Sequence, residues 1–240
     1  MTPFSPRRRD ILLGIPALLA GCTGGPFGIV GAAGPPAPAP DIRVGDRWVY
    51  HVADGFRTPV EWDETQQVIA AGANGYTVRV TCKGPTVNLV RTEEWASPGV
   101  VRTGAAMDIE TRRFITPLLR YKYPLTPGTS WSQNVDNFNE NTRKEGEFNY
   151  YARVGGWKPV TVPAGTFDAI FLNVLMRMDD EEFWRWPTEC NYGIWYAPAV
   201  GALVEERKEA QYLEKGGMDN AFAIRAQHTR IALLSFARPR

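Results

Sequence analysis

His51 and His228 are the only imidazoles in the 240-residue chain, so they are the first candidates for proton transfer near neutral pH. Both fall inside strand-like alternation, and the chain has neither a Gly-x-Ser-x-Gly elbow nor a His-Glu-x-x-His pair beside which they could work. With Cys82 and Cys190 they are too widely spread for zinc-ligand spacing. No metal or cofactor is expected. Carboxylates adjoin at Glu93-Glu94 and at Asp179-Asp180-Glu181-Glu182. Glycosidases set two carboxyls about 5–9 Å apart across a cleft, whereas sequence neighbours on a strand point to opposite faces. The acidic run therefore reads as a solvated loop tip, and no catalytic residue is assigned.

The stretch that follows, Phe183-Trp184-Arg185-Trp186-Pro187, brings two indoles to alternate positions. If it is extended, Trp184 and Trp186 project the same way, as a platform for a sugar ring or a lipid chain, or as rim and core residues. Cys82 and Cys190 are an even pair once Cys22 is set aside, and either bridge or stay as buried thiols. A bridge would stabilise by about 4–5 kcal/mol in the chain-entropy picture.

Residues 1–22 read as a processing signal. Arg7-Arg8-Arg9 precede an apolar run from Ile11 to Ala20, interrupted by Gly14 and Pro16. Such a run is too short for a bilayer, which needs roughly 20 apolar residues. Leu19-Ala20-Gly21-Cys22 resembles the lipobox of bacterial lipoproteins, which implies lipidation of Cys22 and cleavage just before it. Arg8-Arg9-Asp10-Ile11-Leu12 resembles the twin-arginine export motif, with Ile11 where Phe is commoner. Thr23, rather than Asp, follows the lipidated position, as in lipoproteins sent to an outer membrane. From 22 to 40 the chain is Gly-, Pro- and Ala-rich and reads as a tether, reaching up to about 50 Å. Gly28, Gly31 and Gly34 run into prolines rather than a helix, so they do not form a phosphate loop.

Removing Arg7, Arg8, Arg9 and Asp10 leaves 24 basic and 25 acidic residues in 22–240. A body so nearly neutral lacks the basic stripe of a nucleic-acid binder. Residues 41–240 read as one all-β domain. Tyr76, Val78, Val80 and Cys82 alternate with Thr77, Arg79, Thr81 and Lys83, and similar runs recur at 47–53, 60–70, 89–95, 147–154, 192–196, 202–212 and 222–236. Gly, Pro, Asn and Asp clusters separate them as hairpin turns. At most one short helix is expected, within 111–121, where Pro117 limits it. The segment 133–147, rich in Asn, Asp and Glu, reads as a polar loop. One strand differs. Ile170, Leu172, Val174, Met176 and Met178 share a face, and Phe167, Ala169 and Phe171 make the other face apolar as well. It is either covered on both sides or lines a cavity.

Four stretches carry a resemblance that spans the body: Val44-Gly45-Asp46-Arg47-Trp48, Tyr123-Pro124-Leu125-Thr126-Pro127-Gly128-Thr129-Ser130-Trp131, Val162-Pro163-Ala164-Gly165-Thr166-Phe167, and Trp195-Tyr196-Ala197-Pro198-Ala199-Val200-Gly201. In this order they resemble a set of β-rich bacterial exported proteins without an assigned activity. The resemblance implies a curved antiparallel sheet forming a half-open barrel, similar to that of the Lol-type lipoprotein carriers, and it brings no catalytic residues. The expectation is a membrane-anchored exported lipoprotein that binds a hydrophobic ligand, such as a lipid or a lipoprotein, or another envelope partner without chemistry. Trp184, Trp186, Ile170, Leu172, Val174 and Met176 are its candidate contacts. A carbohydrate-binding or structural cell-wall module, resting on eight Trp, is the second expectation, and an enzyme of another type the third. A deep apolar cavity, a row of exposed indoles or converging carboxylates would separate the three.

Overall fold

A computed structural model describes residues 31–55, 58–107, 109–179, 182–215 and 223–239. The signal with Arg8, Arg9 and Cys22, the first part of the tether, Asp180, Glu181 and the Gly216-Gly217 turn lie outside the described residues. Twelve strands form. They are β1 (Arg47–Asp54), β2 (Val60–Gly72), β3 (Gly75–Lys83), β4 (Asn88–Ser97), β5 (Val100–Gly104), β6 (Arg112–Leu119), β7 (Ser130–Asn139), β8 (Lys144–Val162), β9 (Gly165–Asp179), β10 (Thr188–Ala197), β11 (Ala202–Leu213) and β12 (Ala223–Ala237). Each pairs antiparallel with its sequence neighbour, and β1 pairs β12 from Arg47 opposite Ala237 to Asp54 opposite Thr229. The sheet is a closed barrel, not the half-open one expected. The closing pair joins the two ends of the domain, so no local turn signals it; closure leaves no sheet edge exposed.

Two further expectations are corrected. Among the described residues there is no helix, and 112–119 is strand β6. Pro117 is accommodated because β6 pairs β7 in register only from Arg112 to Phe114. Beyond that the Gln133 side chain takes over, accepting from the Leu119 amide at 2.9 Å and donating to the Pro117 carbonyl at 3.0 Å. The supposed polar loop of 133–147 is most of β7 and the start of β8. Its polar residues are not all solvated: Asn137 and Asn139 point inward and are buried, where they bind other polar groups.

Cys82 and Cys190 do not pair. Both are free and buried, on β3 and β10, which are not neighbours in the barrel and belong to different core clusters. One cluster fills the barrel from β6 to β10, with Phe114 edge-on to Phe148 at 5.9 Å. The other joins Trp48, Tyr50 and Val52 of β1 to Val78 and Val80 of β3 and to Val160, Val162, Ala169 and Phe171 of the long β8–β9 hairpin. That hairpin reaches β12, where the Ala164 amide donates to the Leu233 carbonyl at 3.1 Å.

From residue 31 the expected tether is part of the body. Ala32 and Trp157 exchange two backbone hydrogen bonds of 2.9 Å, and Ala37 and Leu125 exchange two more of 2.9 and 2.8 Å. The Trp157 indole donates to the Pro35 carbonyl at 2.9 Å, and Ala37 is fully buried. Proline has no amide to leave unsatisfied, so this extended strap needs few partners. The β8 bulge at Gly155-Gly156 admits it: a Cβ on Gly156 would stand 2.4 Å from the Gly31 backbone. Gly156→Ala is therefore expected to lift the strap. Hydrogen exchange should show the Ala32 and Ala37 amides losing protection, while amides of β10 such as Ile194 keep theirs.

Candidate functional site

Charge sits inside the barrel. Alternation that places Val52, Trp62, Val68, Val78 and Val80 inward also places Glu64, Arg91 and Glu93 there, each under a tenth exposed. Arg91 lies 3.4 Å from Glu64 and from Glu93. The Trp95 indole donates to Glu93 Oε2 at 2.9 Å, and Arg120 approaches the same oxygen at 4.0 Å. Arg120 donates to the Ala105 carbonyl at 2.7 Å, and the Tyr150 hydroxyl to the Arg120 carbonyl at 3.0 Å. Glu206 and Lys208 of β11 form a second pair at 3.6 Å. The charged residues among these, with Tyr50, Tyr121, Tyr150 and Tyr192, line a cavity of about 80 Å³. A water needs ~10–15 Å³ of such space, so a few waters fit and a lipid chain does not.

Carboxylates do converge in the interior, Glu93 with Glu64 around Arg91. Burial pushes the Glu93 carboxyl up, yet Arg120 and Arg91, with the Trp95 indole and the Ala105 amide, outweigh it and hold Glu93 below the usual carboxylate range. A general acid needs the opposite shift. Burial also drives the hydroxyls of Tyr50, Tyr121 and Tyr150 upward, so they remain neutral donors. The arrangement clamps Glu93 in its ionised form. A second polar knot uses Arg112, which is buried, donating to Glu110 at 2.8 Å and to Asn137 at 2.7 Å, with Asn139 donating to Glu110 at 3.1 Å.

The residues singled out in sequence fall into separate places. Ile170 and Leu172 are fully buried core, and only Val174 and Met176 of that face reach the cavity. Phe171, on the other face, lies against Trp195 at 5.1 Å in a tilted arrangement and is buried, so the start of the strand is covered on both sides. His51 and His228 each face one carboxylate away from the cavity, Asp63 at 3.3 Å and Glu209 at 3.8 Å. Glu93 is interior, whereas Glu94 accepts from Thr77. Glu182 binds Lys144 and the Trp184 indole. Trp184 lies edge-on to Tyr212 at 5.5 Å, and Trp186 is 54% exposed beneath Lys215.

The roomier depressions are on the outer face. A groove of about 530 Å³ crosses β7 to β12, and a second depression of about 300 Å³ adjoins it, sharing Arg177, Glu189 and Gln211 and reaching Trp186. Tyr151 and Leu175, 40% and 46% exposed, form its apolar patch. Sequence analysis found Trp186 but not the rest, because the groove is assembled from outward positions of six strands and no local pattern marks it.

The fold and these two features define a closed twelve-stranded antiparallel barrel, filled inside and grooved outside. No family model and no curated protein matches the chain. Among solved structures it is similar to a candidate exported protein with a YmcC-like fold from Bacteroides fragilis, at 11% identity and a TM-score of 0.52, covering 85% of this chain and 99% of that one. A candidate lipoprotein from Parabacteroides distasonis is similar at 13% identity and a TM-score of 0.49, over 84% of this chain and 97% of the other. The likeness to the Bacteroides fragilis protein is one of fold.

Two outcomes test the interior. Glu93→Gln leaves buried cations short of a partner and should cost about 3–5 kcal/mol in denaturant unfolding. Because the folded carboxyl titrates below its unfolded value, its contribution is whole above the ordinary carboxylate range and fades as pH falls through the lowered value. Stability should thus drop on acidification below about pH 5, and less steeply in the variant. Burial pushes the Cys82 thiol up to about 12 and the Cys190 thiol up to about 11. With Cys22 replaced by Ser, the native protein should show no thiol reactive toward Ellman's reagent at about pH 8 and both thiols in denaturant. A disulfide would leave none in either state.

Proposed function

We propose that the protein is an exported lipoprotein, anchored through a lipidated Cys22, whose barrel displays a binding face to an envelope partner and carries out no chemistry of its own. The observation that carries this reading is the contrast between a small ion-paired interior and a large outer groove. The lipobox at Leu19-Ala20-Gly21-Cys22 supports the anchor, and the docked strap supports display close to it. Only eight residues, 23–30, separate the anchor from the body, a reach of about 30 Å at full extension. An apolar ligand carried inside, as in a lipid carrier, is disfavoured because the cavity walls carry Glu64, Glu93, Arg91 and Arg120.

Feeding cells an alkyne fatty acid and tagging the purified chain tests the anchor. The wild type should be labelled and sediment with membranes, while Cys22→Ser should be neither. Native mass spectrometry of the same Cys22→Ser chain should give the polypeptide mass alone. A retained lipid adduct would overturn the exterior reading.

A further inference from the structure

Six side chains stand in one cross-strand row on the outer face. Asn134 is opposite Asn149, Asn149 opposite Arg177, Arg177 opposite Glu189, Glu189 opposite Gln211, and Gln211 opposite Arg225. All six are exposed and line the groove. Strands lie about 4.8 Å apart, so the row is a ladder of hydrogen-bonding groups about 24 Å long. Tyr151 and Leu175 flank it in the next row, and Trp186 closes the adjoining depression with its indole more than half exposed.

We infer that this ladder is the binding site for an uncharged polysaccharide chain, laid across the strands from Asn134 toward Trp186. The inference rests on the exterior-binding reading and names its ligand class.

Three features select that occupant. The first is charge. Arg177 and Arg225 are matched by Glu189 and Glu209, so the groove has no net charge. The rows beyond it differ: Asp136, Glu147 and Asp179 stand in register in the adjacent row on one side, and on the other Arg153 stands beyond the row of Tyr151 and Leu175. A polyanion would meet that acidic row, and a polycation the arginine. The second is hydrogen-bonding supply. Arg177, Glu189 and Gln211 have no side-chain partner among the described residues, so the centre offers donors and acceptors side by side. Sugar hydroxyls, which donate and accept at once, match that mixture. The third is the placement of apolar surface. A protein interface concentrates aromatic and aliphatic anchors at a desolvated centre, whereas here the centre is Arg177 and Glu189. The rings stand to the side and at the end, where Trp186 can stack on a pyranose face.

The test uses the full-length protein in detergent micelles, titrated calorimetrically with cellohexaose and chitohexaose as uncharged probes and with hexagalacturonate as an anionic one. Saturable binding of at least one uncharged hexasaccharide is expected. Arg177→Ala, Glu189→Ala and Trp186→Ala should each weaken it by about tenfold. Asp136→Ala, one row away, should change nothing, and thermal unfolding should confirm that all four variants fold. Three results would overturn the inference: no binding of either uncharged probe, binding of the anionic probe alone, or affinity indifferent to the ladder variants. Photocrosslinking from position 149 in cells separates this failure from a wider one. Capture of one protein in place of glycan overturns the sugar assignment and keeps the exterior-binding reading, whereas capture of neither overturns both.

Discussion

Arg91 lies between Glu64 and Glu93 inside a closed sheet, and much of the architecture follows from what it takes to keep a guanidinium there. Twelve strands enclose more space than aliphatic side chains fill readily; eight already make a barrel just wide enough to be packed. The chain fills the excess with long polar and aromatic residues whose ends meet one another. Isolated, each charge would cost several kcal/mol to bury. Together, Glu93 held ionised by Arg120 and Arg91, the neutral tyrosines and the Glu206–Lys208 pair form an ion-paired polar centre. Closure by β1 and β12 keeps water from competing for these bonds.

A polar centre of this kind has a functional consequence. It disfavours an apolar ligand inside, and the binding face we propose lies on the outside instead. There the same barrel supplies what the interior cannot: six strands in register, exposing hydrogen-bonding groups at a regular spacing. The strap from Ala32 to Pro40 adds to rigidity by joining β8 and the segment before β7 to the N-terminal side of the chain. The second half of what reads as a tether is thus docked on the body.

The sequence made some of this legible and hid the rest for physical reasons. Alternation in β3 and β9 is plain because one face of each meets an apolar core, and the Gly and Pro turns between hairpins follow from local conformation. Strands β6 and β7 were hidden because their inward residues include Arg112, Asn137 and Asn139, which erase the contrast that alternation depends on. Pro117 argued for a break that the Gln133 side chain in fact bridges. Closure, the separation of Cys82 from Cys190, and the outer ladder are long-range facts, made by residues whose spacing along the chain carries no sign of their nearness in space. Trp186 was visible as an indole; its place at the end of a groove was not.

The most direct test of the filled, ion-paired interior is the exchange rate of arginine side-chain Nε–H protons in nitrogen-resolved NMR spectra at neutral pH. Arg91 and Arg112 should give resolved signals that persist in deuterated water, while those of exposed Arg113 are lost at once. Equally fast loss at Arg91 would mean that solvent reaches the barrel centre, and would contradict the account of an interior closed to ligands.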